Sequence, residues 1–270
     1  MTRTYPAGVP SWVELGASEL AAARAFYSGV FGWTFADAAA DSDQPYLIAQ
    51  LAGREVAGLA VGNDATWRTY VAVDDAAQAA ARVEAAAGQV LEGPTAAGTA
   101  GRWAGCLDPE GVPFRLWEAG DRLGAQVVNS PGAWNFSDLH TADPVVAAAF
   151  YTEAFGWEFS ALGFGTMIRR PGYGDHLAAT IDPGIHERQA AVAAPPGFAD
   201  AVGWLAPASA GERPHWHVTF TVDDRDRTAD AVERLGGTVL ETADTEWTRE
   251  ALVRDPAGAV FTASQFHPTG

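Results

Sequence analysis

The chain has 270 residues, 48% of them apolar, and its 34 acidic and 17 basic side chains give a net charge of −17. That size and apolar content fit two ordinary domains with buried cores and argue against disorder. The charge repels nucleic-acid phosphate and anionic lipid, which removes both as expected partners.

Every basic residue is Arg. Without Lys there is no Schiff base and no ordinary pyridoxal-phosphate chemistry. No apolar run reaches the ~18–20 residues of a membrane span. The opening MTRTYPAGVPSW lacks the apolar stretch of a secretory signal. The lone Cys106 cannot close an intramolecular disulfide. A cytoplasmic protein is expected.

In chain order, SWVEL reads as a strand, followed by a helix over residues 19–31 with Ser18 at the N-cap and Gly32 past its end. Further strands lead to RTYVAV and a helix over 76–87, bounded by Asp74 and Gly88. LDPEGVPF, with Pro at the second turn position, joins the last two strands of the half. AGDRLGAQVVNSPGAW has linker composition. NFSDL then opens the same series again, with Asp143–Pro144 starting a helix over 144–155, Gly156 after it, HVTFTV, a helix over 225–235 between Asp223 and Gly236, and RDPAGAVF.

The repetition is explicit. FYSGVFGWTF (26–35) returns as FYTEAFGWEF (150–159), altered at four positions. VDDAAQAAARVEAAAGQVLE (73–92) matches VDDRDRTADAVERLGGTVLE (222–241) at ten of twenty positions. Two copies of one domain follow, 1–120 and 134–270, joined by a linker over 121–133. Each copy holds two βαβββ-like units. The second copy carries an extra stretch at about 182–214. Its apolar FADAVGWL (198–205) reads as a short helix, serving either as a lid, as a packed surface loop or as a dimer contact.

The FY…FGW helix ends, the V-D-D helices and the DP-x-G hairpins resemble the vicinal oxygen chelate superfamily, which includes glyoxalase I, bleomycin-resistance proteins, fosfomycin-resistance enzymes and extradiol dioxygenases. The likeness is strongest to tandem two-domain members from actinobacteria. It implies an α+β fold of tandem glyoxalase-like domains, in which four βαβββ units form two half-open barrels, each cupping a small molecule. It also implies a divalent metal held by His, Glu or Gln at set distances from the motifs. Counting from those motifs gives Trp12, Arg68 and Arg115 in the first copy and Phe136, His217 and Thr262 in the second. A single imidazole does not hold a catalytic metal. The sequence therefore argues for no cofactor, with a divalent metal disfavoured.

Residues two apart on a strand share a face, so Glu14 joins Trp12, Asp138 joins Phe136, and His215 joins His217. Glu14 is either an acid–base group or the partner of an arginine such as Arg68 or Arg115. His176, in GYGDHLAA, is expected near the start of the fourth strand of its unit, opposite Val56 of the first copy. Asp138, His176 and His217 would then meet at one cup mouth, with His140 two residues beyond Asp138. Each of these histidines is otherwise a partly buried structural residue. Most of the ten Trp are expected in the core, and a few to line a pocket for a flat ligand; Trp12, Trp67, Trp103, Trp134, Trp204, Trp216 and Trp247 are the candidate walls. Cys106 has no activating neighbour in sequence.

Two functions compete. One is a metal-independent enzyme tailoring an aromatic or polyketide-like metabolite by isomerisation, cyclisation or hydration, with Asp138, His217, His176 and Glu14 as its acid–base groups. The other is a non-catalytic protein that sequesters an antibiotic-like molecule. Whether it forms a homodimer is left open.

Overall fold

The computed structural model describes residues 2–38, 45–163, 165–192 and 194–268. The first βαβββ unit is β1 (Pro10–Ala17), α1 (Leu20–Phe31), β2 (Thr34–Asp37), β3 (Tyr46–Leu51) and β4 (Arg54–Val61). The second is β5 (Thr66–Val73), α2 (Ala76–Ala85), β6 (Gln89–Ala96), β7 (Gly101–Leu107) and β8 (Pro113–Ala119). The third is β9 (Trp134–Thr141), α3 (Pro144–Phe155), β10 (Glu158–Leu162), β11 (Gly165–Arg169) and β12 (Ala201–Pro207), with α4 (Tyr173–Thr180) and α5 (Ile185–Ala191) inserted before its last strand. The fourth is β13 (His215–Thr221), α6 (Arg225–Arg234), β14 (Thr238–Asp244), β15 (Thr248–Arg254) and β16 (Val260–Phe266).

Two eight-stranded mixed sheets result, ordered β2-β3-β4-β1-β5-β8-β7-β6 and β10-β11-β12-β9-β13-β16-β15-β14. The second order is the first advanced by eight strands, as a duplicated chain requires. Each unit ends with its last strand parallel to its first, as in β1 with β4 and β13 with β16. The neighbouring strands β2–β3, β3–β4, β6–β7, β7–β8, β10–β11, β11–β12, β14–β15 and β15–β16 pair antiparallel. Both sheets keep free edges, so neither closes into a barrel, and the fold is α+β with two tandem glyoxalase-like domains.

Helix boundaries follow local chemistry with a one-residue correction. The second Asp of each V-D-D, not the first, is the cap. Asp75 accepts from the backbone N–H of Gln78 and Asp224 from that of Arg227. Asp143 accepts from Val145 and Val146, with Pro144 at the first helical position. At α1 the cap position holds Glu19, not Ser18, and makes no side-chain cap bond. Gly32 and Gly156 end α1 and α3 in the left-handed conformation, φ 72° and 68°, as expected. Gly88 does something else. Ala87 takes the positive φ, whereas a Cβ on Gly88 would lie 2.7 Å from both the Leu107 carbonyl and the Phe150 ring.

The chain also divides into two compact units that cut across the repeat: 1–11, 69–124 and 137–216 in one, 12–68, 125–136 and 217–270 in the other. The sheets keep the sequence halves and the compact cores do not. In the first unit α2 packs on α3. The buried face of α3, Ala147, Phe150, Tyr151, Ala154 and Phe155, meets Phe114, which contacts all three of its aromatic rings. Trp157 donates from Nε1 to the Gly8 carbonyl at 2.6 Å. In the second unit α1 packs on α6, and Phe31 and Tyr27 meet Phe261, with Phe31 also against Phe220. Trp33 Nε1 donates to the Gly132 carbonyl at 2.7 Å. That bond, with the Gly132 N–H to Thr221 carbonyl bond, packs the end of the expected linker into this unit.

Each core contains one buried Tyr–Asp pair. Tyr151 donates to Asp108 Oδ2 at 3.2 Å, and Tyr27 donates to Asp255 Oδ2 at 3.0 Å. Both tyrosines are fully buried. The aspartates belong to the DP-x-G turns, where Asp108 Oδ1 also takes the N–H groups of Glu110 and Val112.

The inserted stretch differs from its expectation. Phe198–Asp200 forms one 3₁₀ turn, and the rest of FADAVGWL is strand β12. Its short apolar run fits either period, and pairing with β11 and β9 selects the extended one. β12 is thus the fourth strand of its unit, and His176 lies on α4, twenty-five residues before that strand starts.

Tyr27→Phe and Tyr151→Phe should each lower stability by about 1–3 kcal/mol, since each removes a bond to a buried carboxylate. The check is a lower urea midpoint with an unchanged m-value.

Candidate functional site

Along β9, Ser137, Leu139 and Thr141 are buried, whereas Phe136, Asp138 and His140 are half-exposed. Period-2 alternation therefore puts Asp138 and His140 on one face, opposite the helix-packed one. In the first compact unit, Asp138 Oδ1 accepts the backbone N–H of Trp204 at 3.1 Å. The β9–β12 register pairs Leu139 with Leu205, which sets Trp204 beside Asp138. The corresponding register of the first copy pairs Glu14 with Gly58. The counterpart of Val56 is accordingly in β12, and not His176.

Beyond Asp138, His140 Nδ1 stands 2.7 Å from Glu212 Oε1 and its ring centroid 4.7 Å from that of His215. His215 Nδ1 lies 3.7 Å from the same carboxylate oxygen. Burial and the neighbouring His215 push the His140 pKa below its ordinary value, against the opposing pull of Glu212. Burial works to raise Glu212, but the Ser209 N–H and the two imidazoles outweigh it and hold the carboxyl below its usual range. Glu212 escaped the sequence reading because it sits on a loop, where strand alternation gives no face. Its spacing three residues before His215 was the available signal.

Elsewhere in this unit, Arg115 Nη1 donates to the Tyr70 hydroxyl at 2.6 Å, and the guanidinium lies 4.3 Å from the Trp103 ring centroid. His176 Nε2 meets Thr4 Oγ1 at 3.0 Å, and its ring stacks on Tyr173. Trp216 is a core residue, not a wall: its Nε1 donates to the Tyr151 hydroxyl, and its ring sits edge-on to Tyr151 and Trp157. A cleft of about 250 Å³ opens along α4 and α5, lined by Asp175, His186, Gln189, Phe198 and Asp200 among others. None of the residues singled out from the sequence as catalytic lines it.

In the second compact unit Glu14, 2% exposed, pairs with Arg68 at 3.6 Å. Arg68 in turn grips both oxygens of Asp64. Trp12 is buried and donates from Nε1 to the Tyr46 hydroxyl at 3.0 Å. That hydroxyl occupies the space a side chain on Gly58 would need, 2.1 Å from its Cβ position. His217, 8% exposed, has Nε2 2.8 Å from Thr262 Oγ1. Trp67 is a core ring against Tyr27, Trp33 and Phe220, Trp134 is buried, and Trp247 is exposed.

The superfamily's metal does not fit the positions the resemblance assigns to it. Phe136 and Trp12 offer no ligand atom, Arg115 is a stacked cation, and His217 turns Nε2 to a hydroxyl. Among the described residues, the group of His, Cys, Asp and Glu close enough to hold an ion is His140, Glu212 and His215.

This architecture is that of the glyoxalase-like proteins, and comparison with known sequences and structures agrees. The family described as "Glyoxalase/Bleomycin resistance protein/Dioxygenase superfamily" matches residues 10–116, and the "Glyoxalase-like domain" matches 134–264. The chain belongs to this vicinal oxygen chelate superfamily. It is 33% identical over 267 residues to "Putative glyoxylase CFP32" of Mycobacterium tuberculosis, covering 95% of this chain and 94% of that protein. It is 34% identical over 282 residues to "Anthracycline biosynthesis protein DnrV" of Streptomyces peucetius, covering 97% and 94%. Among solved structures, the Mn(II)-bound glyoxalase from Novosphingobium aromaticivorans superposes with a TM-score of 0.63 at 18% identity, over 98% of this chain and 83% of that one. No described helix is long and apolar enough to cross a membrane.

Cys106 is 1% exposed, and burial pushes its thiol up to about 12. An aromatic disulfide reagent at pH 8 should leave the folded protein unmodified and titrate one thiol per chain only after urea unfolding.

Proposed function

We propose that the protein is a small-molecule tailoring enzyme that works by proton transfer, independently of the superfamily's metal, on an aromatic or polyketide-like metabolite. The observation that carries this reading is the His217–Thr262 pair. A buried imidazole and a hydroxyl, 2.8 Å apart, stand at two of the positions where the superfamily resemblance places metal ligands. The hydroxyl fixes the orientation of the ring, which a general acid or base requires. Asp138 is the second candidate, its carboxylate held by the Trp204 N–H. Glu14 is better read as the counter-ion of Arg68, and His176 as an anchor for the segment around Thr4. Isomerisation, cyclisation and hydration all need one proton removed and one returned, which a positioned imidazole supplies. The name of the DnrV relative, an anthracycline biosynthesis protein, supports the metabolite class. The enzyme would act in the cytoplasm.

One observation favours a sequestering protein instead. Arg115 stacked on Trp103 and bonded to Tyr70 makes a flat, polarised surface suited to an aromatic ligand without any chemistry.

Incubation of the protein with anthracycline-type aromatic polyketides, followed by mass analysis of products, separates the two. His217→Ala should lower kcat by about 10²–10⁴-fold with a smaller effect on KM, and Asp138→Asn should lower it as well. Full turnover in both variants would remove the acid–base reading. Quenched Trp fluorescence with the ligand recovered unchanged would establish sequestration.

A further inference from the structure

Within the first compact unit, the end of β9, the loop over 208–214 and the start of β13 bring together three side chains that the proton-transfer reading does not use. His140 Nδ1 and His215 Nδ1 lie 2.7 and 3.7 Å from one oxygen, Glu212 Oε1. One ligand atom from each residue falls within 4.8 Å of the others. Around an ion with bonds of about 2.0–2.1 Å, tetrahedral ligand atoms stand roughly 3.3 Å apart, a separation that fits within the 4.8 Å over which these atoms lie.

The surroundings are those of a built site. The Ser209 N–H holds Glu212 Oε2 at 2.7 Å, which leaves Oε1 turned toward the imidazoles. The Arg213 carbonyl is 3.0 Å from His215 Nδ1. A ring that donates Nδ1–H to this carbonyl has its lone pair at Nε2, and outer partners of this kind orient metal-binding side chains. The Ala208 N–H to Thr141 carbonyl bond, 2.8 Å, ties the loop to the end of β9. His140 and Glu212 are each 26% exposed, deep enough to be held and open enough to be reached.

We propose that His140, Glu212 and His215 bind one divalent first-row transition-metal ion, zinc by the nature of the donors. Two imidazoles and one carboxylate suit zinc and its neighbours, not calcium or magnesium. Three protein ligands leave a coordination position open, which would take an oxygen donor of the small-molecule ligand. The site is not the superfamily's own. His140 lies four residues after Phe136, and His215 two before His217. The proposal goes beyond the proton-transfer reading and stands without it, because its readout is binding.

The test uses the full-length, untagged chain stripped with EDTA, then titrated with zinc by calorimetry and with Co(II) by absorption. One ion per chain is expected, with a Co(II) d–d band of four- or five-coordinate intensity. Affinity should fall at least ~100-fold in His140→Ala, Glu212→Gln and His215→Ala, and hold in His186→Ala, whose ring pairs with Asp175. Should an alanine variant fail to fold, imidazole ¹H–¹⁵N spectra of the unaltered protein decide: zinc should shift two of its six histidines, and one of the two signals should be missing in His215→Gln. Substoichiometric binding, equal loss in His186→Ala, or zinc shifts that leave the His215 signal in place would overturn the assignment.

Discussion

A buried tyrosine that donates to a buried aspartate of the other copy is the interaction on which the rest of the structure depends. Tyr27 of the first FY motif reaches Asp255 of the second DP-x-G turn, and Tyr151 of the second reaches Asp108 of the first. Burial pushes Asp108 and Tyr151 both upward in pKa, so the hydroxyl keeps its proton and stays a donor. The same aspartates shape their own turns through backbone N–H groups. One carboxylate therefore closes a hairpin and fixes the helix packed over it. Leaving either partner alone in the core would cost more than the bond itself contributes.

This explains why the compact units cut across the repeat. Without the second copy, Tyr27, Phe31 and Trp33 would lack Asp255, Phe220 and Phe261, and half of one core would be gone. Those contacts draw on FY, FGW and DP-x-G from both copies, and these motifs are alike in the two. The opposite strand faces take no part in them, and there the copies differ. Trp12, Glu14 and Gly58 stand in one; Phe136, Asp138 and Trp204 stand in the other. Even a turn residue has been recruited unequally. Glu110 of DPEG accepts the N–H groups of Ala142 and Asp143 at the start of α3 and the Thr141 hydroxyl, a role Ala257 cannot fill.

The repeat, the units and the closing turns were legible because they are periodic and local. Capping was legible to within one residue: V-D-D offers two adjacent acids, and only the backbone dihedrals choose between them. Residues 198–205 misled because a short apolar run satisfies helix and strand periods alike, and the partner strands decide. His176 misled for a related reason, since an inserted helix pair shifts every count that runs through it. Glu212 had only its spacing from His215 to mark it, because loops carry no face rule, and Trp216 looked like a wall although strand alternation already put it on the opposite side from His215 and His217.

That last alternation also bears on where chemistry can reside. On β13 the odd positions 215 and 217 carry imidazoles while 216, 218 and 220 are core, so the imidazoles stand on the strand face opposite Trp216, which packs on Tyr151 of α3. In the first copy the equivalent freedom has been used differently. Arg68 neutralises Glu14 and is itself clasped by Asp64, a closed charge network whose groups already serve one another. In the proposed reading, proton transfer falls to the second copy, where His217 Nε2 faces the Thr262 hydroxyl on the strand face that does not carry the core rings.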